Sequence, residues 1–450
     1  MSTRMAAPGS GMHQIGFASA PQFVEQRGVC ASLVAAKADL LDSEDERRGL
    51  YLLQALSIRP GGLKAVAAEL QRILVSKTGQ KNKQPTVTIH KYHGPYENRG
   101  AGFSACTIYD YLISACIDPD TKLEFSFNSF TIELIPLLQE FESQRRDSIK
   151  NDFVVTSVGE KVFEALNFAS QTGRFCVIEG DPRWGKSAAA KNWCDRNLDT
   201  SRYVSLKGIN SRGIFFRTLS QAIGLPSTYD LSPVRMQARV EDFLRRTRIM
   251  LVIDEAQYLW PQQQRIYTQP DLVNWTLTLR NMDVPIVFVT WAAFAERRRA
   301  TERQTNWHSG QLRGRISRYI QIQSGPSPSD YEAVARKLLP IADKDSIKAI
   351  ANYARSSGRF MQGVVDAITD IQYVAKTSGR SEITLADVKR GLIEYCIPSD
   401  NAQRTAFSDD SPRGRSRTKQ TSTVPSKDIA PDRNPQPSMD FNERIEMVTV

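Results

Sequence analysis

Between Phe175 and Ser187 the chain reads FCVIEGDPRWGKS. An apolar run ends in Gly180, and Gly180-Asp181-Pro182-Arg183-Trp184-Gly185-Lys186-Ser187 has the spacing G-x-x-x-x-G-K-[ST]. Phosphate oxygens need several donors from a backbone that can approach closely. Glycines permit that approach, the next helix offers its free N–H groups, and Lys186 adds a point charge. The Ser187 hydroxyl suits a Mg²⁺ ligand, and Ala188 completes the candidate nucleotide-binding stretch. Such a loop requires a buried strand before it and a helix after it, so this one feature restricts the chain to an α/β fold.

The second half of a hydrolytic site should be an acid at the end of a buried strand. RIMLVIDEAQYL supplies it: Met250–Ile253 lead into Asp254 and Glu255. Asp254 is placed to hold Mg²⁺, and Glu255 to polarise an attacking water. A further strand, VPIVFVT, ends in Thr290, whose hydroxyl is placed for the water or the terminal phosphate; the alternative is a threonine that only caps the strand. QLRGRISRYIQI then brings Arg313, Arg315 and Arg318. In a monomer they form a basic edge. In a ring or filament they would enter a neighbour's site and stabilise phosphoryl-transfer charge, Arg315 first, then Arg318, then Arg313.

Around this centre, strands and helices alternate from 152 to about 325. The strands are expected at 175–179, 203–206, 249–254, 285–290 and 319–323, giving a parallel sheet with helices on both faces. Residues 1–42 read as a flexible N-terminus. Residues 43–145 read as a mostly helical domain, either a helix-turn-helix or a small bundle or protein-docking module, and QRRDSIKN (144–151) as a linker. Residues 326–398 read as a helical lid opened by a Ser329/Glu332 capping box. Residues 399–450 read as a disordered basic tail with a partner-docking end.

Of the 450 residues, 41% are hydrophobic and the net charge is +10. That excess favours an anionic partner such as nucleic acid. No apolar run reaches the ~20 residues of a membrane span. The six cysteines are scattered, and His90-x-x-His93 lacks a companion ligand set, so reduced thiols, no metal cluster and a cytoplasmic location are expected.

Together these motifs resemble the AAA+ ATPases, and within them the transposition-regulator branch of the Mu B and TnsC type. DFVVTSVGEKVFEALNFAS before the loop, RYVSL after it, Asp254-Glu255-Ala256, GRISRYIQI and the lid ending DAITDIQYVAKTSGRSEITLADVKRGLIE carry the likeness, over 152–394. The loop departs from the family in Arg183-Trp184, where small residues are usual. Trp184 would pack under a neighbouring subunit or over the nucleotide, and Arg359 or Met361 falls where many relatives place a lid arginine.

The resemblance implies that ATP and Mg²⁺ assemble subunits into a filament or ring on double-stranded DNA, that the assembly recruits a transposase, and that hydrolysis releases it. DNA contacts are then expected from Lys207, Asn210, Ser211 and Arg212, largely to the backbone; the alternative is a solvated loop. Two other readings stand beside this one: a helicase-loader ATPase of the IstB or DnaC type, and a signalling or secretion ATPase of the ExeA type.

Overall fold

A computed structural model describes residues 30–79, 88–91, 108, 111–112, 123–126, 128–209, 211–225, 231–261, 269–340, 343–380 and 383–401. The chain divides into two compact units. One comprises Met1–Phe153, Glu164–Glu179 and Ala190–Ile320; the other comprises Val154–Phe163, Gly180–Ala189 and Gln321–Val450.

The first unit opens with helices α1 (Ala31–Ala38), α2 (Glu44–Ser57) and α3 (Gly62–Thr78). A two-stranded antiparallel ribbon follows, β1 (Thr88–Lys91) with β2 (Leu123–Ser126), and then the long helix α4 (Asn128–Asp152). Helix α5 (Ser157–Thr172) leads to β3 (Phe175–Glu179). After α6 (Lys186–Arg196) come β4 (Ser201–Ser205), α7 (Arg212–Ile223), α8 (Pro233–Thr247), β5 (Met250–Asp254), α9 (Asp271–Asn281), β6 (Ile286–Thr290), α10 (Ala293–Gln304), α11 (Gly310–Arg315) and β7 (Ile316–Gln321). The strands form one five-stranded sheet in the order β4-β5-β6-β3-β7. β4, β5, β6 and β3 pair in parallel. Every residue of β3, β5 and β6 is buried, as expected of strands covered on both faces. β7 is an edge strand with mostly exposed side chains.

Two expectations change here. The N-terminus expected to be flexible to residue 42 contains α1, whose Val34, Ala35 and Ala38 are buried in the same core as the sheet. The expected linker 144–151 is helical, as the last turns of α4. Its two arginines are partnered: Arg145 and Arg146 pair with Glu142 at 2.6 and 2.8 Å, and Arg146 reaches Asp199 at 3.0 Å.

The helices are also stitched to the sheet through a buried cation. Arg202 of β4 donates to the carbonyl of Tyr51 and to Gln54 Oε1 at 3.2 and 2.9 Å, and burial lowers its pKa to about 10. Gln54 in turn donates to the carbonyl of Ile223. It lies so close to Gly224 that a Cβ there would stand 2.2 Å from its amide nitrogen, at a backbone already left-handed (φ 80°).

Helices α2 and α3 are joined by a short turn, as a helix-turn-helix would require. Basic side chains of α3 are already engaged: Arg72 with Glu69 and Gln144, Lys77 with Glu140.

The second unit contains α12 (Pro328–Leu338), α13 (Lys344–Ser356), α14 (Phe360–Thr377), α15 (Leu385–Arg390) and a π-helical turn, Gly391–Cys396. They share a core that includes Tyr331, Ile347, Ile350, Val364, Ile368, Ile371 and Leu392. The capping box at its start is not Ser329/Glu332. Ser327 accepts from Asp330 N–H while Asp330 returns a bond to Ser327 N–H, because Pro328 fits the first helical position and shifts the cap two residues earlier. Asp330 also binds Ser157, hydroxyl to carboxylate at 2.6 Å. Of the expected tail, residues 402–450 lie outside the described residues. Asp400 at its root is buried and accepts from Tyr353 Oη at 2.8 Å.

Candidate functional site

The phosphate loop leaves β3 at Gly180 and enters α6 at Lys186. Gly185 is left-handed (φ 91°), the conformation that turns the chain into the helix. Lys186 is buried, and its Nζ donates to the carbonyls of Gly180 and Asp181 at 2.8 and 2.6 Å. The ammonium is therefore held inside its own loop, at the start of a helix that supplies free N–H groups. Asp181, Pro182, Arg183, Ser187 and Ala188 are exposed. This donor set fits a polyphosphate.

Trp184, the residue the family pattern does not require, is buried within the unit that carries the loop and the lid helices. Its ring meets Phe360 edge-on with centroids 6.2 Å apart, and a Cβ on Gly325 would stand 3.0 Å from it. Met361 N–H donates to the carbonyl of Arg183 at 3.2 Å. Trp184 thus joins the loop to α14 of its own chain. Arg183 (φ 67°) and Phe360 (φ 51°) are both left-handed non-glycine residues on either side of this contact. Arg359, one candidate for the lid arginine, is paired with Asp366 and Asp400 at 3.0 and 2.6 Å.

In the sheet unit, the carboxyl ends of the central strands gather the expected acids. In register, Glu179 lies opposite Thr290, and Asp254 opposite Val289. Both oxygens of Asp254 are occupied: Oδ1 accepts from Glu255 N–H at 2.9 Å, and Oδ2 accepts from Tyr203 Oη at 2.6 Å. Burial, with the Asp254 charge beside it, pushes the Tyr203 phenol well above its usual range, so it remains a donor. Glu255 takes a left-handed backbone (φ 56°), a strained choice for a side chain with a Cβ. Gln257 Nε2 donates to Glu255 Oε2, and Thr290 Oγ1 donates to Gln257 Oε1 at 3.0 Å. Arg297 Nη1 donates to the carbonyl of Gln257 at 2.9 Å. Glu179 accepts from Tyr319 Oη.

Asp254, Glu255 and Thr290 therefore stand on one sheet edge, and two residues join them that were not singled out from sequence. Gln257 was within reach, three positions after Asp254. Tyr203 depends on β4 pairing with β5, where Tyr203 lies opposite Val252 and Ser205 opposite Asp254.

The other expected residues lie apart from this cluster. Arg315 bonds Asn281 Oδ1 through Nε and Nη2, at 3.2 and 3.1 Å. Arg318 stacks on Phe168 at 3.7 Å and approaches Glu164 at 3.5 Å. Arg313 is exposed. Of the DNA candidates, Lys207 is exposed, Ser211 caps α7, and Arg212 bonds Gln237 and lies over Phe216; Asn210 is outside the described residues.

The strand order and the phosphate loop after β3 are those of an AAA+ P-loop fold. Residues 169–297 match the family model described as an AAA domain. No curated protein matches the sequence. Among solved structures, the chain is similar to the Thermotoga maritima RuvB Holliday junction branch migration motor. The identity is 13%, over 53% of this chain and 68% of that one, with a TM-score of 0.34. It is similar also to Cdc6p from Pyrobaculum aerophilum, at 16% identity over 52% and 65% with a TM-score of 0.38. These superpositions are loose, and the fold stands on the strand order, the loop and the family match. Among the described residues no helix is long and apolar enough to cross a membrane, and no group of three or more His, Cys, Asp or Glu could hold a metal ion.

Proposed function

We propose that the chain hydrolyses ATP and uses the cycle as a switch on double-stranded DNA, as a regulator of transposition that recruits or stimulates a transposase. The observation that carries the hydrolytic part is Glu255: a strained, tethered carboxylate immediately after Asp254, at the end of β5. The phosphate loop grows from β3, and β6 lies between β3 and β5 in the sheet. The open-sheet rule puts ligands at the carboxyl ends of such strands, where the order reverses.

On this reading Gly180–Ala188 bind the phosphates, with Lys186 neutralising charge. Ser187 and Asp254 would hold Mg²⁺, which when bound supplies charge stabilisation to the phosphates. Glu255 accepts the proton of the attacking water as its oxygen bonds the terminal phosphorus. The bond to the bridging oxygen breaks, leaving ADP and phosphate. Arg315 or Arg318 would serve a neighbouring subunit. The DNA and transposition part is supported by the basic net charge and by the branch-like segments around the loop, Asp254-Glu255-Ala256 and GRISRYIQI.

The test is an ATPase and DNA-assembly assay on the full chain. Lys186→Ala should lose nucleotide binding. Glu255→Gln should keep ATP binding and ATP-dependent assembly on random duplex DNA while turnover falls by at least about a hundredfold. Turnover like the wild type in Glu255→Gln would remove the catalytic assignment. Absence of salt-sensitive DNA binding by the wild type with a non-hydrolysable ATP analogue would remove the DNA reading.

A further inference from the structure

We infer that Gln257 is a positioning residue through which Thr290 sets the orientation of the Glu255 carboxylate. This rests on the reading that Glu255 activates the water. The polarity of the contacts leaves one arrangement. An ionised carboxylate only accepts, so the Gln257 amide nitrogen must face Glu255. The amide oxygen then faces Thr290, which must donate, and does so at 3.0 Å. The other acceptor near Thr290 Oγ1 is the carbonyl of Trp291, at a weaker 3.4 Å. Hydrogen bonds therefore run one way, from the Thr290 hydroxyl through the Gln257 amide to Glu255.

The relay is fixed at both ends and shielded. Thr290 and Gln257 are each 3% exposed. The Gln257 main chain is pinned by Arg297, whose guanidinium also lies 5.6 Å from the Tyr258 ring. Glu255 itself sits on a left-handed backbone held by its N–H bond to Asp254, so its side chain starts from a defined point. From sequence, Thr290 was expected to address the water or phosphate directly. Here its hydroxyl is committed to Gln257, and its influence on the reaction passes through Glu255.

The test measures kcat and ATP affinity separately in Gln257 and Thr290 variants of the full chain. Gln257→Leu keeps the bulk and removes both bonds; kcat should fall about tenfold or more, with ATP affinity within about twofold of the wild type. Gln257→Glu discriminates further. It keeps the shape of Gln257 but offers Glu255 an oxygen acceptor where the amide donated, so kcat should fall below that of Gln257→Leu while ATP affinity stays within about twofold, a split a general structural defect would not produce. Thr290→Val should lose activity and Thr290→Ser should recover it. Wild-type kcat in Gln257→Leu, a Gln257→Glu kcat no lower than that of Gln257→Leu, or failure of Thr290→Ser to exceed Thr290→Val would each overturn the relay. These results are separable from the parent reading, which falls only if Glu255→Gln itself turns over normally.

Discussion

Two hydrophobic cores among the described residues are built to different rules. The first runs without a break from Val34, Leu50, Leu53, Leu70 and Leu138 of the N-terminal helices into Val177, Leu251 and Phe288 of the sheet. The second is closed within α12–α15 and the π-helical turn. The N-terminal helices are therefore a structural part of the five-stranded sheet, and helices α12–α15 carry a core of their own. Polar contacts reinforce each core: Arg202, Asp199 and Gln54 tie the N-terminal helices to the sheet across 53 to 169 residues of sequence, and in the second unit Arg359 pairs with Asp366 and Asp400 while Asp330 binds Ser157.

The largest expected effect tests that continuity. Leu53 is fully buried in α2, and Leu53→Ala should cost about 2–5 kcal/mol through lost burial and the cavity left behind. If the core is one, amide hydrogen exchange should accelerate in β3–β6 as well as in α1–α4, with the lid helices little changed. Ile371→Ala is the mirror experiment, and its effect should be confined to α12–α15. A Leu53→Ala protein that keeps its sheet amides protected would show that the helices and the sheet are separate bodies.

A smaller effect separates the units by pH. Lys37 is buried in α1, donates to the carbonyl of Tyr111 and lies 3.6 Å from that ring; burial lowers its pKa to about 7, only partly opposed by Glu46. Above pH 7 the folded lysine gives up its proton while the unfolded one keeps it up to 10.5. The unfolded state then binds more protons, so stability of the first unit rises with pH. Cys194 opposes this above pH 9, because burial raises its pKa from 9.0 to about 12 in the fold. The gain should therefore fall between pH 7 and 9, and Lys37→Met should abolish it. In the lid, burial raises the Cys396 thiol and the Tyr353 phenol above their usual ranges, so lid stability should only decline as pH passes 9. Chemical denaturation at pH 7, 8 and 9 with exchange read separately for the two units checks both signs.

How much of this was legible in the sequence follows from how local each signal is. β3, β5 and β6 stand out because strands buried on both faces read as unbroken apolar runs. β7 was expected at 319–323 and lies at Ile316–Gln321, because an edge strand with exposed side chains leaves no such run. QRRDSIKN reads as a solvated linker until Asp199, far along the chain, turns out to hold Arg146. The phosphate loop and the Asp254-Glu255 pair are contiguous motifs and were plain. The Tyr203 bond to Asp254 was hidden by its dependence on strand register, and the left-handed backbone at Glu255 leaves no mark in residue type.

The smallest expected effect concerns the residue that gives the phosphate loop its place in the second unit. Trp184 is 6% exposed, and among the described residues its Nε1 has no hydrogen-bond partner. A buried donor left unsatisfied costs about 1–3 kcal/mol, so the indole is held for its ring and not for its N–H. Phenylalanine keeps an aromatic edge against Phe360 and removes the orphaned donor, at the expense of some buried area. The two changes oppose one another, and Trp184→Phe should shift lid stability by less than about 1 kcal/mol. Urea unfolding followed by exchange in α14 measures it. A loss above about 2 kcal/mol would mean that the indole N–H has a bonding partner in solution and that the junction between the loop and α14 is polar, whereas a near-zero shift would leave the second core joined to the loop by ring packing and the Met361 to Arg183 backbone bond.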